Sequence, residues 1–437
     1  MASSPNQPIN GILLLYHHSL RQNAATIMEH ITAFERHSQF RVWRLNTELG
    51  FPGQLADLRF RIIVLHYSLF GTGRYYLNAQ FLDYLAYCEH SYKIAFFQDE
   101  FRYCQKRFEF LNRYRVDCVY TLIEPAYFKD VYQKYTSVPK LVYSLAGYVS
   151  DDLLAAAPKY TKPDHERTID VGYRGRRLAF YMGKGAQEKR EIGVEFEARS
   201  QGLGLTLDIE DEEQKRIYGD AWYEFIANCR AVLGVEAGVS VFDLEDKVRV
   251  ECERLLAFNP NMSFDEISAR VLAPWENNVY YRTISPRHFE AAAFRVCQIL
   301  FEGSYSGLMQ PMVHFIPLKK DFSNFDEVIR LMRDDEVRQR LTENAYRDLI
   351  GSGKYTYRRF IEEFDQEMLR AGFTPQCASD EAMRIDKLLA HGAAYRQIRA
   401  QVRETLQRLT YSNPTLRAWA KPGITLYRRT RIRLRGK

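Results

Sequence analysis

Short strand-like runs of six or seven mostly apolar residues recur through the first third of the chain, at residues 11–16, 40–45, 61–67, 92–97, 117–122 and 140–145. Short runs of this kind mark strands largely buried on both faces, and helix-like stretches such as 24–36 and 79–89 separate most of them. The alternation predicts a parallel, doubly wound α/β sheet over residues 1–150. A polar stretch at 151–168, with Pro158 and Pro163, reads as a linker. The rhythm then restarts, with strands expected at 169–173, 206–209 and 230–235 and helices at 188–200 and 218–228. A second α/β domain is therefore expected over 169–370, interrupted by an acidic helical insertion at 242–281. The end of the chain is helical in pattern, at 325–333, 335–352, 357–369 and 381–409. C-terminal helices thus fill 371–410, and the last of them spaces Leu388, Leu389, Ile398, Val402, Leu406 and Leu409 as an amphipathic helix docking on the body.

Within the second domain, residues 285–307 (SPRHFEAAAFRVCQILFEGSYSG) place Glu290 early in a small-residue helix that runs into an apolar strand at 296–301. Ser285 is a candidate cap, and Pro286 suits the first helical position because its missing N–H has no intrahelical partner there. Ala291, Ala292 and Ala293 let a ligand approach the backbone closely, and a carboxylate near the helix start can accept two hydrogen bonds from a ribose diol. Glu290 either binds such a diol or caps its own helix. The strand is followed at once by Glu302, Ser304, Tyr305, Ser306 and Gly307, and ligands of open α/β sheets bind outside the carboxyl ends of strands.

Composition narrows the class. The 437 residues exceed one ordinary core, and 46% apolar with 27% charged residues is typical of a globular protein. Seven scattered cysteines without a CxxC pair suit a reducing compartment, and the start of the chain lacks the basic and apolar regions of a secretory signal. A cytoplasmic location is therefore the expectation. Charge is uneven: residues 414–437 hold eight basic residues and no acidic one, so the formal +6 of the whole chain leaves the remainder near −2. Trp419, Leu426, Tyr427, Ile432 and Leu434 are interleaved with these charges. The basic tail, 411–437, is suited to an anionic lipid surface, on the inner membrane face, or is a solvated terminus. The body shows no basic stripe for nucleic acid.

Two similar α/β halves joined by a linker, with a Glu opening a small-residue helix in the second, resemble the GT-B glycosyltransferases. The second half is more narrowly similar to the glycosyltransferase-like domain of spore-coat proteins of the CgeB type. The residues that carry the resemblance are DVGYRGRR (170–177), CRAVLGVEAG (229–238), SPRHFEAAA (285–293) and FEGSYSG (301–307). The family's pattern after the Glu, E-A-x-A-x-G-x-P, has Arg295 and Cys297 at its Gly and Pro positions here, and Arg282 stands where retaining relatives keep a further Glu. The resemblance implies two Rossmann-like domains facing a cleft, a hexosyltransferase-like activity with a UDP- or GDP-sugar donor, and no cofactor.

Under that resemblance the loop after the second domain's first strand faces the cleft. There Gly175 allows close backbone approach, and Arg176, Arg177, Lys184 and Lys189 are candidates for a diphosphate, or form a solvated charged loop. Arg287 is a further phosphate candidate. Glu236 and Gly238 end another strand, and Glu302, Tyr305, Ser306 and Gly307 offer backbone N–H groups to a phosphate. The acceptor side falls to the first domain. An inverting transfer needs one base, for which Asp99, His17 and Glu100 are candidates in that order. No HxxxH, DxD or EF-hand pattern marks a metal site; Asp243 and Glu245 read as an acidic helix start. The expected partners are a nucleotide sugar and a cell-envelope or surface glycan acceptor, lipid-linked or free. The competing reading is a catalytically inactive nucleotide- or glycan-binding scaffold. An NAD enzyme is disfavoured because no GxGxxG follows the first strand.

Overall fold

The computed structural model describes residues 8–19, 25–71 and 73–412. The basic tail at 413–437 therefore lies outside the described residues. All six apolar runs of the first third form strands: β1 (Ile9–Tyr16), β2 (Val42–Asn46), β3 (Phe60–Leu65), β4 (Tyr92–Phe96), β5 (Cys118–Thr121) and β6 (Lys140–Tyr143). They pair in parallel in the order β2-β1-β3-β4-β5-β6. Helices α1 (Ala25–His37), α2 (Ala79–Tyr87) and α3 (Cys104–Arg113) connect them. Burial on both faces, as at Leu13 and Leu14 of β1 and Ile63 and Val64 of β3, explains the apolar runs of these two strands.

The second sheet contains β7 (Ile169–Arg174), β8 (Leu207–Glu210), β9 (Cys229–Gly234), β12 (Cys297–Phe301) and β13 (Ile316–Leu318), in the order β13-β12-β9-β7-β8 and parallel throughout. Its helices are α5 (Lys184–Arg199), α6 (Asp220–Ala227), α9 (Pro286–Ala293), α10 (Phe325–Arg333) and α11 (Asp335–Ala345). The expected α/β architecture, two Rossmann-like domains facing a cleft, is the one observed. In this sheet the strand order reverses between β7 and β9, which opens a crevice at their carboxyl ends.

Three segments differ from the sequence reading. The polar stretch after Val149 is not simply extended. Ser150 caps α4 (Asp151–Tyr160) by accepting from the Leu153 N–H at 3.0 Å, and Leu153, Ala157 and Tyr160 pack against the second domain. The insertion begins and ends in a two-stranded antiparallel ribbon, β10 (Ala237–Val241) and β11 (Glu276–Thr283), around α7 (Lys247–Phe258) and α8 (Phe264–Ile267). Val239, Phe242, Val279 and Tyr281 from this ribbon lie in the core of the first domain. Finally, the long terminal helix divides at Gly392, whose φ of +67° is left-handed.

The chain crosses back after the second domain. Val149 and Tyr355–Tyr357 run side by side, the Val149 N–H donating to the Tyr355 carbonyl at 2.8 Å and the Tyr357 N–H to the Val149 carbonyl at 3.0 Å. From there α12 (Tyr357–Arg370) lays Phe360, Ile361 and Phe364 on the first sheet. The next helix, α13 (Ser379–Ala390), adds Ile385 to the same domain, and α14 (Ala393–Ser412) follows.

Candidate functional site

A cleft of about 410 Å³ opens at the β7/β9 switch point. Its floor is the strand ends Gly172–Arg174 and Val232–Val235, and its walls come from α6, α9 and the loop before α6. Thr26 and Glu29 of α1 close it from the first domain. Of the expected nucleotide-sugar residues, Gly175, Arg176, Lys189, Arg287 and Glu290 line this one space.

Glu290 lies in the second turn of α9, too far along to cap it, and Ser285 makes no side-chain cap either. Instead a Glu290 carboxylate oxygen accepts from the indole N–H of Trp222 at 2.8 Å. Burial raises the Glu290 pKa, against the pull of Trp222 and Arg287. Trp222 and Tyr218, with Ile217, form an apolar wall beside it, and the Arg287 guanidinium stands 5.0 Å from the Trp222 ring centre. An aromatic wall next to a carboxylate that can accept hydrogen bonds has chemistry suited to a nucleoside.

Cations gather at the neighbouring end. The Lys189 ammonium is brought down to about 8, first by burial and then by Arg282, Arg287 and Arg176, while Asp99 opposes the shift. Such crowding of positive charge is relieved by an anion. Arg287 donates to the Arg174 carbonyl at 2.6 Å, which fixes it over the strand end. Arg174 is itself spent on Asp208, at 2.8 Å, and lies over the Phe225 ring.

The remaining candidates have other work. Arg177 is exposed and pairs with Asp211 at 3.2 Å. Lys184 is the exposed first residue of α5, outside the cleft. Glu236 is buried and accepts from the Tyr305 N–H at 2.7 Å and from the Tyr280 hydroxyl at 3.0 Å, with Arg282 at 3.7 Å. Gly238 is needed for the ribbon: its φ is +99° and a Cβ there would sit 2.0 Å from the Tyr281 carbonyl oxygen. The loop after β12 is knotted on itself rather than open to a phosphate. Tyr305 is buried and donates to the Phe301 carbonyl at 2.6 Å, and Ser306 bonds Thr283 at 2.9 Å. Glu302 and Gly307 are exposed and do not line the cleft.

On the first domain, Asp99 is exposed just past β4, in a left-handed conformation (φ +52°), and is near enough to Lys189 to influence its proton. Glu100, by contrast, turns into the domain core. Its carboxylate accepts from the Thr121 hydroxyl at 2.6 Å, the Leu122 N–H at 2.8 Å and the Tyr132 hydroxyl, which removes it as a base for the cleft. His17 stacks on Tyr76 at 3.8 Å with its ring 3.8 Å from Glu48, and it does not line the cleft. Asp243 caps α7 by accepting from the backbone N–H groups of Lys247, Val248 and Arg249.

Trp222 and Glu29 are among the cleft residues that escaped the sequence reading. Trp222 sits in an amphipathic helix, where an aromatic reads as core. Glu29 lies mid-helix in α1 with no motif around it. Burial, then the neighbouring Glu290, lifts the Glu29 carboxyl to about 7. Arg282, singled out in the sequence, is buried and bonds Glu188 at 2.5 Å, while Lys320 reaches the other oxygen of Glu188 at 2.7 Å.

No protein-family model matches the chain, and no curated protein matches it. Among solved structures it is similar to an alpha-glucosyltransferase in complex with UDP, at 9% identity and a TM-score of 0.47, over 82% of this chain and 99% of that one. It is similar to the Anabaena protein HepE in complex with UDP and glucose, at 12% identity and a TM-score of 0.44, over 83% of this chain and all of that one. A sucrose-phosphate synthase from Thermosynechococcus elongatus matches at 11% identity and a TM-score of 0.45, over 82% and 98%.

Proposed function

We propose that the chain is a GT-B-type glycosyltransferase that moves a sugar from a nucleotide-diphosphate donor to a cell-envelope or surface glycan. The observation that carries this reading is the division of the switch-point cleft. Glu290 and the Trp222 wall are suited to a nucleoside, and Lys189, Arg176 and Arg287 to a diphosphate, with the first-domain Glu29 on the facing wall and Asp99, outside the lining, near enough to Lys189 to influence its proton. In the proposed transfer Asp99 takes the proton of the acceptor hydroxyl as that oxygen bonds to the anomeric carbon. The bond from that carbon to the diphosphate oxygen breaks, and the leaving charge meets Lys189 and the arginines. Arg282, where retaining relatives keep a Glu, supports inversion.

Turnover of a panel of UDP-, GDP-, ADP- and CMP-sugars, with Glu290→Ala as control, tests this. One donor should be consumed by the native chain, and the variant should lose both binding and turnover. Tight binding with no turnover would favour the scaffold reading instead, which the ion-paired Arg282 also suits.

A further inference from the structure

Glu29 is the acid of the cleft that the proposed transfer leaves unused. It stands in the second turn of α1, half-buried, and with Thr26 it forms the first domain's share of the wall. After burial, the charges that act on its proton are Glu290 of α9 from across the cleft, Asp152 of α4 and Arg36 of α1, and the Ser150 hydroxyl favours its ionised form. Tyr67 and Tyr357 face it as well, their hydroxyls raised by burial and in part by the Glu29 charge. The hydroxyl of Tyr223, which lines the cleft, is raised by burial, then by Glu290 and then by Glu29, so it stands beside both acids. Asp99 is instead the acid that acts on Lys189, at the cationic end. Glu29 therefore belongs to the nucleoside end of the cleft, where a binding role suits it and proton transfer does not.

Two acids from different domains meet there, and among the described residues neither makes an ion pair. Carboxyls brought together in a half-buried space cost free energy until hydrogen-bond donors reach them. A ribose offers two such donors on adjacent carbons. One Glu290 oxygen already holds the Trp222 N–H at 2.8 Å, so a diol docked on Glu290 has use for a further acceptor. We infer that Glu29 is that acceptor: it takes one ribose hydroxyl from the first domain while Glu290 takes the other from the second, and the nucleoside ties the two domains together. The inference rests on the nucleotide-sugar reading above and gives the first domain a share in donor recognition.

The test is calorimetric titration of the full chain with whichever of UDP, GDP, ADP and CMP binds it most tightly, and with the 2′-deoxy and 3′-deoxy forms of that nucleotide. Glu29→Met keeps the bulk of the side chain and removes its oxygens, whereas Glu29→Gln keeps a neutral acceptor. Glu29→Met should bind the ribonucleotide about tenfold more weakly, yet hold one of the two deoxy forms as tightly as the native chain does. Glu29→Gln should fall between, and because it leaves the shape unchanged it carries the test if the Met variant melts early. A loss that is equal for the ribo form and both deoxy forms overturns the inference, since Glu29 would then act without touching a hydroxyl. So does unchanged affinity in Glu29→Met where Glu290→Ala weakens binding, a result that leaves the donor reading standing. Failure of all four nucleotides to bind the native chain would remove the donor reading itself, and this inference with it.

Discussion

The indole N–H of Trp222 donates to Glu290 across 2.8 Å and so joins α6 to α9 at the wall of the cleft. A ribose would bring its own O–H donors to that carboxylate. Glu290→Ala should therefore weaken UDP or GDP binding by about 10- to 100-fold, the worth of a hydrogen bond to a charged group. Calorimetric titration measures it, and an unchanged affinity would remove Glu290 from the ribose role.

Asp99 and Glu100 are adjacent yet have opposite surroundings, and their amides should behave differently. Asp99→Asn should lower donor turnover by about 10²- to 10⁴-fold with nucleotide affinity nearly intact, as loss of a base does. Glu100→Gln should instead lower the melting temperature, because the Leu122 N–H, the Thr121 hydroxyl and the Tyr132 hydroxyl all donate to its carboxylate. Paired kinetics and thermal melts on the two variants check this. Equal turnover by Asp99→Asn and the native chain would falsify the base assignment.

Glu29 gives the stability a pH signature. Its carboxyl is raised from 4.5 to about 7 by burial and by Glu290, so between those values the native chain holds a proton that the unfolded chain has lost. Its contribution to stability is full below about 4.5 and is lost as pH rises through 7. Glu29→Gln cannot lose that proton. Its melting temperature should therefore gain on the native chain as pH rises from 5 to 8, by the equivalent of roughly 1–3 kcal/mol. A constant difference across that range would set the coupling aside.

Arg282 holds two buried carboxylates, Glu188 at 2.5 Å and Glu236 at 3.7 Å. Arg282→Ala should cost about 3–5 kcal/mol in chemical denaturation, since it strands those charges. A loss under about 1 kcal/mol would mean that Lys320 and Tyr280 suffice to hold them.

Much of this was legible in the chain, for reasons particular to its residues. The strands announced themselves because both faces of each sheet are covered, so Leu13 and Leu14 are alike buried. Glu290, Lys189 and Arg287 could be picked out because each falls near a strand end or helix start, where the topology puts ligands. Glu236 and the loop from Glu302 to Gly307 misled for the opposite reason. Their partners, Tyr280, Arg282 and Thr283, come from the far strand of the ribbon, and no local pattern reveals that pairing. The last helix shows a further limit: periodicity finds the apolar stripe of Ile398, Val402 and Leu406 but is silent on what it faces.

The ribbon of β10 and β11 sets how the chain can be divided. Val239, Phe242, Val279 and Tyr281 belong by sequence to the second half and by packing to the first, where the Tyr281 hydroxyl accepts the Glu100 N–H at 3.2 Å. In return, the first sheet is roofed by Phe360, Ile361 and Phe364 from near the end of the chain. Each half is completed by residues made after or within the other. A cut at residue 168 would leave two fragments with open interiors, and the interior of the first takes in Ile385 of α13 as well.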